Sequence, residues 1–113
     1  MANELAMMFP LLPGKRDALA KFVVALEGPE RAAYEASQTT VVKESWFLQP
    51  TPFGDMLVVH FEAPDPAKVL SGLAASEETF DIWFRNQIQE LSGIDLTQHA
   101  GPLPERVFHW TRN

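Results

Sequence analysis

Residues 41–62 read Val41-Val42-Lys43-Glu44-Ser45-Trp46-Phe47-Leu48-Gln49-Pro50-Thr51-Pro52-Phe53-Gly54-Asp55-Met56-Leu57-Val58-Val59-His60-Phe61-Glu62. Val41 to Gln49 is rich in β-branched and aromatic residues, the composition of a strand. Pro50-Thr51-Pro52-Phe53-Gly54 is a run of turn formers. Asp55 to Glu62 is a second strand, and the two predict an antiparallel hairpin. In the second strand Leu57, Val59 and Phe61 point one way, and Met56, Val58, His60 and Glu62 the other. In the first, Trp46 and Leu48 share a face and Phe47 takes the opposite one. A sheet with one solvated face alternates apolar and polar side chains. These strands carry apolar groups on both faces.

Working outward, Asn3 to Phe9 reads as a short apolar strand ended by Pro10, Pro13 and Gly14. It sets Leu5, Met7 and Phe9 against Ala6 and Met8. Lys15 to Leu26 has helical spacing, with Ala18, Leu19, Phe22, Val23 and Leu26 on one stripe. Gly28 closes that helix, and Pro29 is placed to start another over Glu30 to Gln38. Beyond the hairpin, Asp65-Pro66 supplies an N-cap and an N1 proline for a short helix through Ala74. Ser76 reads as the N-cap of a further helix, in which Phe80, Phe84, Ile88 and Leu91 recur at helical spacing. Asp81 and Arg85 are spaced as an i, i+4 pair on it, and Gly93 stands ready to end it. A Pro/Gly-containing connection then leads to a last strand, Arg106 to Trp110. The predicted fold is α+β: a ferredoxin-like βαββαβ domain spanning 1–113, with a four-stranded antiparallel sheet and helices on one face.

Helices cover one face of such a sheet. The other would leave large apolar side chains in water, each worth about 1.5–3 kcal/mol when buried. Several together give a gross gain of the order of what association costs. The expectation is a homodimer through the open sheet face, two sheets closing into a barrel-like core. The competing solution is a monomer whose connection, Ile94 to Pro104, folds over that face.

The 113 residues suit one domain. Nine Lys and Arg against fifteen Asp and Glu leave a net charge of −6. That balance argues against nucleic acid, whose binding draws on Lys and Arg, and against anionic membrane surfaces. The absence of cysteine excludes thiol catalysis and thiolate-ligated metals. No apolar run is long enough to cross a bilayer, and Met1 to Phe9 lacks the basic start of a secretory signal. A cytoplasmic location is expected.

Three features carry a resemblance: Glu44-Ser45-Trp46-Phe47-Leu48, the Phe80-x-x-Trp83-Phe84 helix, and Gly101-Pro102-Leu103-Pro104-Glu105 before the last strand. Together they resemble an uncharacterised bacterial family of the dimeric α/β-barrel superfamily, the antibiotic-biosynthesis-monooxygenase-like group. That superfamily includes cofactor-independent monooxygenases, heme-degrading monooxygenases and lactone isomerases. The heme-degrading members use an Asn on the first strand, a Trp and a helical His. Asn3 and Trp83 match the first two, but no His occurs between Pro66 and Ser92. The iron ligand has no counterpart, and no cofactor is expected.

Among candidate site residues, His60 with Glu62 two positions on could form a general base and its orienting carboxylate. The plainer reading of His60 is a hydrogen-bonded strand histidine. His60, His99 and His109 match no metal-ligand spacing, so no metal is expected. Trp46, Trp83, Trp110 and Tyr34 could line an aromatic pocket, although aromatics at these periods also build cores. No G-x-S-x-G, Gly-rich phosphate loop or HExxH motif occurs. Two functions follow: a small-molecule-binding or structural homodimer taking an apolar ligand, or a cofactor-independent monooxygenase or isomerase with His60 as proton shuttle.

Overall fold

The computed structural model describes residues 3–98 and 102–112. Along the chain run β1 (Asn3–Leu11), α1 (Arg16–Glu27), α2 (Arg31–Ser37), β2 (Lys43–Thr51), β3 (Gly54–Ala63), α3 (Pro66–Ala75) and α4 (Thr79–Ser92). The sheet is antiparallel, three-stranded and ordered β1-β3-β2.

The hairpin turns on Pro52-Phe53. Thr51 Oγ1 donates to the Gly54 carbonyl at 2.6 Å and accepts from the Phe53 amide at 3.1 Å. Gly54 sits at φ 127°, a conformation that favours glycine. β3 is the central strand, and its register places every side chain. On the helical face Phe9, Leu11, Leu57, Val59, Phe61 and Ala63 are buried with Leu19, Phe22 and Leu26 of α1 and Ile88 and Leu91 of α4. Period two on the strands and spacing of three or four on the helices thus meet in one core.

Element ends follow local chemistry. Asp65 accepts a hydrogen bond from the Lys68 amide at α3's start, with Pro66 as first residue. Gly93 ends α4 at φ 77°, its amide bonded to the Gln89 carbonyl at 2.8 Å. Ser76 is not the α4 N-cap. Glu78 takes that position, while Ser76 Oγ accepts from the Glu78 amide and donates to Asp81 at 2.6 Å. Pro29 does not open α2 either, which begins at Arg31 after Glu30. Arg85 does not pair with Asp81. It donates to the Leu73 and Ser76 carbonyls, both at 2.7 Å, satisfying acceptors where α3 ends.

The four-stranded βαββαβ expectation is corrected here. Residues 102–112 form no strand, and the topology of the described residues is βααββαα. The physical cause lies in the segment's contacts. Arg106 and His109, three residues apart, both reach Glu4 Oε1 of β1, whereas strand geometry would turn residues at that spacing to opposite faces. Val107 and Phe108 stay 89% and 80% exposed. Pro102 and Pro104 also lack the amide a ladder needs.

The face of the sheet away from the helices forms four cross-strand rows, each in β1-β3-β2 order. Glu4, Glu62 and Lys43 make a charged row, followed by Ala6, His60 and Ser45. Met8, Val58 and Phe47 make an apolar row, followed by Pro10, Met56 and Gln49. Met8 and Phe47 are about three-fifths exposed, at 60% and 58%. Among the described residues of the connection after α4, Ile94 and Leu96 pack against the core on the helical side. Among the described residues no helix is long and apolar enough to cross a membrane.

Candidate functional site

A cavity of about 400 Å³ lies between the helical face of the sheet and α2, α3 and α4, a volume within the range of small-ligand sites. Met7, Phe9, Trp46, Val59 and Phe61 give the sheet side of its lining. Val69, Leu70 and Leu73 of α3 and Phe80, Phe84 and Ile88 of α4 give the helical side. Polar lining comes from Tyr34 and Ser37 of α2, from Gln38, Thr39 and Thr40 after it and from Glu44 of β2, with Lys68, Ser76 and Asp81 contributed around α3 and α4.

Strand parity places Glu44. Glu44 and Trp46 are two residues apart on β2, opposite Phe61 and Val59 of β3, so both turn toward the helices. Trp46 Nε1 donates to Glu44 Oε2 at 2.6 Å, and Gln38 Nε2 donates to Oε1 at 2.8 Å. The Trp46 ring packs at 5.7 Å from Phe22 and 6.1 Å from Phe84. Tyr34 stands beside Phe80 and Phe84, each at 6.3 Å. Burial raises the Tyr34 phenol well above its ordinary pKa, and the Glu44 charge adds to the effect, so Tyr34 is neutral across the physiological range.

Of the residues singled out by sequence, the cavity brings together Tyr34 and Trp46. Trp83 packs on Phe22 at 5.5 Å and Phe80 at 5.6 Å as core and does not line the cavity. Trp110 is 61% exposed, with the Arg112 guanidinium 4.8 Å over its ring. His99 lies outside the described residues, as does Gly101 of the Gly101-to-Glu105 motif. Glu44 and Gln38 were missed. The available signal was parity: a carboxylate sharing Trp46's face stands on the side that packs against helices.

His60 and Glu62 lie on the opposite face of the sheet from Trp46 and the cavity. A proton shuttle at His60 inside an aromatic cage containing Trp46 is therefore not assembled within one chain. Glu62 does not hold the imidazole. Glu4 of β1 does, with its Oε2 at 3.1 Å from His60 Nε2. Arg106 at 3.2 Å and His109 at 3.4 Å reach Glu4 Oε1. Glu4 thus ties the last segment to the sheet. These side chains form no metal-ligating group among the described residues.

The His60 hydrogen bond, and then that of Arg106, hold the Glu4 carboxyl below its ordinary pKa. A lowered folded pKa means a contribution present above the ordinary 4.5 and lost as pH falls through the lower folded value. The expected result is that amide resonances of Arg106 and His109 move together across that acid window. In Glu4→Gln they should already be displaced at neutral pH and flat over the same window. Wild-type resonances that stay still through the window would show that Glu4 is not the tie.

Comparison with protein-family models, with curated proteins and with solved structures finds no match for this chain.

Proposed function

We propose that this chain is a small-molecule-binding protein, paired face to face with a second copy as the resemblance to dimeric α/β barrels implies. The cavity between sheet and helices takes a ligand with an apolar or aromatic body. One observation carries the reading: a cavity of about 400 Å³ lined largely by aromatic and aliphatic side chains, with the Glu44 carboxylate held in its wall by Gln38 and Trp46. Enclosures of this kind hold a ligand by burying its body and orient it through few polar contacts. The pairing is supported by the Met8, Val58 and Phe47 row on the face away from the helices, where Met8 and Phe47 stay largely exposed.

Gly72 of α3 provides the test. It lines the cavity, and a Cβ added there meets nothing within 4 Å. Gly72→Leu should therefore fold at least as well as the native chain, since leucine is the better helix former by roughly 0.5–1 kcal/mol. The same side chain takes up ligand space. The neutral fluorophore N-phenyl-1-naphthylamine should brighten in the native protein, with its affinity falling about tenfold or more in the variant, a change of about 1.4 kcal/mol. A native chain that leaves the fluorophore dark, or a folded variant that binds it equally well, would overturn the cavity reading.

A further inference from the structure

We infer that the ligand of this cavity is a cation, an aromatic or alkyl amine whose protonated nitrogen seats on the Glu44 carboxylate. The inference rests on the cavity reading and adds the charge of what enters. Glu44 is half-buried, and the groups bonded to it are neutral donors: the Trp46 indole, the Gln38 amide and the Tyr34 phenol. A carboxylate offers about four acceptor positions, so three neutral donors leave room for one more. Among the described residues no ion pair joins Glu44 to any Lys, Arg or His. Arg31, which shares a second cavity with Glu44, is engaged by Glu35 at 2.8 Å. A half-buried carboxylate with neutral neighbours is held in place, but its charge is uncompensated.

The rest of the lining agrees in sign. Asp81 is a second half-buried carboxylate on the cavity, held by Ser76 Oγ at 2.6 Å. The one cation of the lining, Lys68, is exposed on α3, where water screens it. An anionic ligand would meet two carboxylates inside and one solvated ammonium outside. An ammonium would meet the Glu44 carboxylate within a lining that is otherwise largely aromatic and aliphatic. The apolar body of the amine would then lie along Phe80 and Phe84, the aromatic residues that α4 contributes.

Three probes that share a phenyl group and a two-carbon linker separate the effect of charge: 2-phenylethylamine, 2-phenylethanol and 3-phenylpropionate, titrated calorimetrically into the full chain at neutral pH. The amine should bind about tenfold or more tightly than the alcohol, the ratio one well-placed ion pair provides, and the propionate most weakly. Glu44→Gln, nearly isosteric, should bring amine and alcohol within about threefold of each other while alcohol binding persists. Alcohol binding with no amine preference in the native chain would overturn the cationic assignment and leave the cavity reading standing. So would an amine preference that survives in folded Glu44→Gln. Binding of none of the three would overturn the cavity reading and this inference together. The native comparison needs no variant, so a misfolded Glu44→Gln would not shelter the inference.

Discussion

Val58→Asp should turn a dimer into a monomer: light scattering should give the native chain twice its 12.7 kDa and the variant the single mass. Val58 is the middle of the apolar row on the open face, directly opposite Met8 on one side and Phe47 on the other. An isologous pairing places this row against its own copy. Each large side chain buried there is worth about 1.5–3 kcal/mol. Replacing the central one by a carboxylate removes that gain and strands a charge between apolar neighbours. A loss of about 3 kcal/mol is more than a hundredfold in the dissociation constant. The chain's own fold should not notice, because residue 58 faces away from the core that Leu57 and Val59 enter. Circular dichroism should superimpose for the two proteins. A native chain of 12.7 kDa would remove the pairing outright, and so would a folded Val58→Asp protein that remains dimeric.

That row was legible in the sequence because strand periodicity is rigid. Once residues 55–62 are read as a strand, Met56, Val58 and His60 must share a face, and they do. The helices were equally legible where apolar spacing was regular: Leu19, Phe22 and Leu26 in α1, and Ile88 and Leu91 in α4, are the buried apolar positions. The reading failed where local pattern underdetermines the outcome. Residues 106–110 are strand-like in composition, yet Arg106 and His109, of opposite strand parity, both reach Glu4, a long-range contact that composition does not reveal. Ser76 and Glu78 both stand before α4, and only the geometry shows that the serine bonds the Glu78 amide and Asp81 instead of capping. The candidate site was half legible. Trp46 and Tyr34 could be named from residue type, but grouping them with His60 ignored which face each strand residue takes. His60 finds Glu4 through β1–β3 pairing, a contact between residues 56 positions apart that no local spacing reveals.

Phe22→Ala should destabilise the fold severely. Phe22 is 3% exposed, and its ring meets Trp83 and Phe84 at 5.5 Å and Trp46 at 5.7 Å. Truncating a buried phenylalanine costs about 3–5 kcal/mol, from lost transfer energy and the void left behind. That is a large fraction of the roughly 5–15 kcal/mol by which domains are stable. Urea denaturation should show the midpoint falling accordingly. Val24→Ala, on the same helix at a position 66% exposed, should move it by no more than about 0.5 kcal/mol. The site should suffer too, because Phe22 backs both Trp46 and Phe84, which line the cavity. With that support gone, the two rings gain freedom to relax into the void, and the indole that holds Glu44 loses its fixed position. Affinity for N-phenyl-1-naphthylamine should therefore fall even under conditions where Phe22→Ala is still folded. Comparable denaturation midpoints for Phe22→Ala and Val24→Ala would mean that the aromatic cluster around Phe22 is not the centre of this core.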